Sequence, residues 1–108
     1  MTVRVVSKRA NGTQAVKGET IVYIGRPSVL GNPFPMSNES QRTGVVALYR
    51  EWLQKRYHDD ASVFSELHQL ADRVNDGESI ALQCWCAPCA CHGDVIVEAI
   101  EWINSRTK

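Results

Sequence analysis

The sequence predicts a single α/β domain over residues 1–108, with one small sheet, three covering helices and a Rossmann-like strand–loop–helix at its C-terminal end. Three observations carry that prediction. Val3-Arg4-Val5 and Thr20 to Ile24 (TIVYI) have the alternation and β-branched content of short strands. Two stretches between residues 41 and 74 repeat apolar residues at three- and four-residue spacing. Ser79 to Trp85 (SIALQCW) reads as a mostly buried strand, and helical periodicity returns from Asp94 to Asn104.

The elements follow in order. Asn11-Gly12 after the first strand reads as a turn, but residues 13–19 lack the pattern of a clean hairpin. The second strand ends at Gly25. The window Gly25 to Met36 (GRPSVLGNPFPM) holds three prolines and two glycines, which forbid a long regular element. Val29, Leu30 and Phe34 are expected to tuck inward and hold this loop. Val45, Leu48, Tyr49, Trp52 and Leu53 form one face of a helix spanning roughly 41 to 57, with Asn38 or Ser40 as its cap. His58-Asp59-Asp60 breaks that pattern. A second helix buries Val63, Phe64, Leu67, Leu70, Ala71 and Val74, and Gly77 stands where a helix C-terminal glycine belongs. The third helix carries Val95, Ile96, Ala99, Ile100 and Ile103 on its apolar face.

A chain of 108 residues with a hydrophobic fraction of 44% can build one core without disulfides. Twelve basic residues balance twelve acidic ones, so the broad electrostatic footprint of a general nucleic-acid binder is missing and nucleic acid is a disfavoured partner. No stretch approaches the roughly 18 apolar residues of a membrane span. The N-terminal residues also lack the apolar run of a signal peptide. These features point to the cytoplasm, where thiols stay reduced.

All four cysteines fall in one short segment, CWCAPCACHGD, Cys84 to Asp94. It lies after a strand and before a helix, the place where open α/β sheets bind ligands. The helix start offers backbone N–H groups and a positive dipole end that suit an anion. Gly93 is expected to let ligand atoms approach the backbone, and Asp94 to cap the helix. A thiol at this position gains nucleophilicity, which makes Cys91, with His92 beside it, the candidate catalytic pair. Cys84 on the strand reads as a small buried hydrophobe. A metal reading would use Cys84, Cys86, Cys91 and His92 for zinc, or the four thiolates for an iron–sulfur cluster, with Cys89 spare for zinc. The close spacing in one loop argues against it, and no stoichiometric metal is expected. Zinc-deaminase chemistry is rejected, since Pro88-Cys89-Ala90-Cys91 is one residue short of Pro-Cys-x-x-Cys and no His-x-Glu precedes it.

Arg26, at the start of the proline-rich loop, can bond phosphate or carboxylate bidentately, or form a surface ion pair. Asn32, between Gly31 and Pro33, can bond its own turn or read a ligand edge. Trp52 belongs to the core by its helix face, and Trp85 to the core or a pocket wall. His58 and His68 read as helix-end and helix-surface residues.

VYIGRPSVLGNPF (Val22 to Phe34), YREWL (Tyr49 to Leu53) and CWCAPCACHGD together resemble the family catalogued as domain of unknown function 4326, which occurs in phages and bacteria. The matching positions are Gly25, Arg26, Gly31, Asn32, Pro33, Cys84, Cys86, Pro88, Cys91 and His92. The resemblance implies a small single-domain protein and no established activity. Cys84 and Cys91-His92 are also faintly similar to domain of unknown function 488.

The resulting expectation is a preformed pocket between the two loops for a small anionic ligand of the nucleotide-derivative class. Arg26 and the N–H groups near Gly93 would hold the anion, with Cys86 and Asp94 in the binding loop. Asn32 would orient the ligand, and Cys91 or His92 would carry any chemistry. The alternatives are a zinc or iron–sulfur protein and a non-catalytic phage protein that binds a host factor.

Overall fold

The computed structural model describes residues 3–7, 17–25, 28–31, 33, 41–84 and 92–106, without the side chains of Ser7 and Cys84. Strands β1 (Val3–Ser7), β2 (Glu19–Tyr23) and β3 (Ser79–Cys84) alternate with helices α1 (Arg42–Asp59), α2 (Ala61–Asn75) and α3 (His92–Arg106) in the order β1-β2-α1-α2-β3-α3. This is the small α/β fold expected.

The sheet is parallel, with spatial order β1-β3-β2. No hairpin joins β1 to β2, since each runs parallel to β3 on opposite sides of it. Register places Val5, Leu82 and Val22 in one row and Val3, Ile80 and Thr20 in another. Strand side chains alternate between faces, so these rows share the face that meets the helices. Ile80, Ala81 and Leu82 are all fully buried, as a central parallel strand requires. On the opposite face Arg4 and Ile21 flank Ala81. There the Arg4 guanidinium reaches across β3 to Glu19, with Nε–Oε2 and Nη2–Oε1 both 2.7 Å. One ion pair thus joins the two strands that do not touch.

Asp60 serves both α1 and α2. Its N–H donates to the Arg56 carbonyl at 2.7 Å, closing α1, while its Oδ1 accepts the Ser62 N–H at 2.9 Å, opening α2. At the far end of α2, Gly77 adopts φ +103°. The Gly77 N–H then reaches the Val74 carbonyl and the Glu78 N–H the Arg73 carbonyl, the paired bonds of a left-handed helix stop. The glycine expected at that position is confirmed by its backbone.

The core joins Tyr49 and Leu53 of α1, Val63, Leu67, Leu70 and Ala71 of α2, Ile80 and Leu82 of β3, and Val95, Ile96, Ile100 and Ile103 of α3. Trp52 is half-buried against it. Three expected core residues are displaced. Leu48, Phe64 and Val29 are 48%, 44% and 45% exposed. Phe64 sits one step off the buried stripe of α2 and stacks instead on His68, with ring centroids 4.1 Å apart. His68 is accordingly half-buried rather than a plain surface residue, and its Nε2 is 2.8 Å from the Tyr57 hydroxyl.

Candidate functional site

Because β2 and β3 are parallel neighbours, the segments that follow them leave the sheet at the same carboxyl edge. Ile24 is the first residue past β2. Its N–H still donates to the Gln83 carbonyl at 2.9 Å, continuing the ladder. Its carbonyl, at 2.8 Å from His92 Nε2, accepts from the first residue of α3. The carbonyl can only accept, so Nε2 carries the proton in this arrangement. His92 is 6% exposed. Any lone-pair chemistry of the neutral ring is thereby left to Nδ1. His92 is first a clamp between the end of β2 and the start of α3.

Tyr49 extends that clamp. Its ring meets His92 edge-on, with centroids 5.1 Å apart. Its hydroxyl donates to the Leu30 carbonyl at 2.7 Å. Leu30 is buried, as expected, and two turns lead to it: Ser28 N–H to the Gly25 carbonyl, then Gly31 N–H to the Ser28 carbonyl. One buried side chain on α1 thus holds the proline-rich loop and His92 together. Periodicity placed Tyr49 on an apolar face and gave no hint of this polar role. The one sequence signal was its place in the YREWL motif.

Both glycines beside the clamp have close neighbours. A Cβ on Gly93 would lie 2.9 Å from Val5 Cγ1 and 3.1 Å from Ile24 Cδ1. Val5 of β1 and Ile24, just past β2, thus approach Gly93 closely, and the missing side chain lets α3 sit down there. At Gly25 a Cβ would fall on the Tyr23 hydroxyl. Helix α3 begins at His92, two residues ahead of expectation, so Asp94 stands in the first turn and not at the cap. There its negative charge complements the helix dipole, and its side chain is exposed.

Arg26, Asn32, Cys86, Cys89 and Cys91 lie outside the described residues, as do Trp85, Phe34, Asn38 and Ser40. What the structure gives is the frame around them: Gly25 next to Arg26, Gly31 and Pro33 about Asn32, and His92 next to Cys91. Among the described residues no group of three or more His, Cys, Asp or Glu side chains converges on a metal-sized site. No helix among them is long and apolar enough to cross a membrane.

Two cavities are of note, and only the smaller touches this frame. One, of about 440 Å³, opens between α1 and α3, with Leu53, Tyr57, Val95 and Trp102 among its walls. It lies in the helix layer. Its arginine, Arg50, is already engaged by Glu98 at 3.1 Å, which leaves it poorly suited to polar chemistry. The other, of about 100 Å³, touches Ile24, Ser28 and Leu30 at the carboxyl edge itself.

No curated protein and no solved structure matches the chain. The fainter likeness to family 488 has no counterpart among these findings. A family model described as Domain of unknown function (DUF4326) matches residues 5–102, from the middle of β1 into the C-terminal half of α3. It spans every element that builds the His92–Ile24 clamp, and the chain belongs to the DUF4326 family.

Proposed function

We propose that the carboxyl edge of the sheet binds a small anionic ligand of the nucleotide-derivative class, in a cytoplasmic protein of the small phage and bacterial type. The single observation behind this reading is the hydrogen bond from His92 to the Ile24 carbonyl. It fixes His92, the residue after Cys91, against Ile24, two residues before Arg26, and so ties the two motifs at one point of the chain. A 15-residue helix directs its positive end toward that place. Arg26 supplies the full charge and the start of α3 the oriented dipole. Asn32 orients the ligand, and Cys91 is the candidate nucleophile, with His92 positioned to act through Nδ1 alone. Titration of inorganic phosphate into the full chain, followed by calorimetry, tests the reading. Arg26→Ala should weaken binding about tenfold, the scale of one charge-assisted hydrogen bond. Equal binding by Arg26→Ala, or no binding by the natural chain, overturns it.

The same hydrogen bond favours one second reading. Histidines that ligate metals usually donate their other ring N–H to a carbonyl or carboxylate. His92 donates through Nε2 to Ile24, which suits Nδ1 for a zinc ion shared with Cys84, Cys86 and Cys91. Elemental analysis of protein purified without added metal distinguishes the two. About one zinc per chain, lost in a Cys86→Ser, Cys91→Ser double variant, supports the metal; its absence returns the site to the anion.

A further inference from the structure

The hydroxyl of Ser28 is fully buried and has no hydrogen-bond partner among the described residues. Buried polar atoms are nearly always paired, so an orphan of this kind points to a missing partner. Ser28 belongs to the proline-rich motif, and it borders the cavity of about 100 Å³ at the end of β2. That volume is several times the roughly 10–15 Å³ a single buried water needs. Val22, Ile24, Val29 and Leu30 contribute to an apolar wall, and Glu66 of α2 lines the cavity as well. The wall suits carbon–hydrogen surface, the carboxylate accepts hydrogen bonds, and the serine hydroxyl can donate or accept. A carboxylate also repels a phosphate, which leaves the charged part of a ligand to the start of α3.

We infer that this cavity is a subsite for a vicinal diol of the kind carried by a pentose ring, bound by the Glu66 carboxylate and the Ser28 hydroxyl. Acidic side chains that accept from ribose hydroxyls serve the same purpose in other nucleotide-binding α/β sheets. The inference rests on the anion-binding reading above and narrows its ligand to a sugar phosphate unit. Ile24 links the two halves, since its carbonyl accepts from His92 and it also borders the cavity.

The test is calorimetric titration of ribose 5-phosphate, 2-deoxyribose 5-phosphate and inorganic phosphate into the full chain and into its Ser28→Ala and Glu66→Gln variants. The expected result is that the natural chain binds ribose 5-phosphate about tenfold more tightly than the other two. Each variant should lose that preference and keep its affinity for inorganic phosphate unchanged. Equal binding of the two sugar phosphates overturns the diol subsite while leaving the anion site standing. So does a variant that weakens all three probes alike, or one that keeps the preference. If none of the three binds the natural chain, both readings fall together.

Discussion

His92 Nε2 lies 2.8 Å from the carbonyl oxygen of Ile24, 68 positions earlier in the chain. This bond ends the β2 ladder with a side chain and seats the first turn of α3 at the sheet edge. Replacing the imidazole with an apolar ring tests its weight. His92→Phe keeps a ring against Tyr49 but leaves the Ile24 carbonyl without its donor. Orphaning a buried acceptor costs about 1–3 kcal/mol, and urea unfolding should show a loss of that size. An unchanged midpoint would mean that His92 is held for chemistry and not for the frame.

Tyr49 gives a separable measurement. Tyr49→Phe removes the 2.7 Å bond to the Leu30 carbonyl and preserves the edge-on contact with His92. Stability should fall by about 1–3 kcal/mol, as for any buried acceptor left alone. The sharper readout is hydrogen exchange. The Gly31 N–H, bonded to the Ser28 carbonyl in the turn that Tyr49 secures, should lose protection. The α2 amides well beyond Glu66, toward the Gly77 stop, should change only with global stability.

The acid limb of the stability curve should depend on Glu78. Its carboxylate accepts from Arg73 Nε at 3.1 Å just beyond the α2 stop, and this hydrogen bond holds its pKa below the ordinary glutamate value. A depressed folded-state pKa adds stability that is complete above the unfolded value and drains away as pH falls toward the folded one. Glu78→Gln should therefore lower the neutral plateau slightly, since the pair is exposed, and converge with the natural chain as pH falls, which flattens the acid slope. A profile with the same acid slope in both proteins would assign that slope to other carboxylates.

Much of this fold was legible in the chain because its signals are local. The β-branched TIVYI run, the apolar SIALQCW run and the three- and four-residue spacings each describe one element, and those elements formed. Sheet order was not legible. Nothing in Val3–Val5 says that it pairs with β3 instead of with the next strand, since pairing depends on a crossover and not on the strand's own pattern. Exposure of Phe64 and Leu48 was missed for a related reason. Adjacent residues on a helix differ by about 100°, so one of a neighbouring apolar pair can fall off the buried stripe, as Leu48 does beside Tyr49 and Phe64 beside Val63. At the site, the sequence flagged His92 and the proline-rich loop. It could not reveal that His92 spends a ring nitrogen on a backbone carbonyl, or that a tyrosine on an apolar helix face ties the two together.

Gly93 offers the most direct test of how the edge is assembled. A methyl group there would meet Val5 Cγ1 at 2.9 Å and Cγ2 at 3.0 Å, with Ile24 Cδ1 at 3.1 Å. These atoms belong to β1 and to the end of β2, so α3 must lift or the strands must give. Overpacking of a tight interior costs about 1–3 kcal/mol, and Gly93→Ala should lose stability in that range despite the better helix propensity of alanine. Shortening the obstacle should recover part of the loss. In the Gly93→Ala, Val5→Ala double variant the new methyl group enters space that Val5 vacates, while the Ile24 contact remains. The double variant should therefore be more stable than the sum of the single changes predicts, with a coupling of about 0.5–3 kcal/mol for residues in contact. Strict additivity would mean that α3 accommodates the methyl group without pressing on β1, and the steric account of this glycine would have to be abandoned.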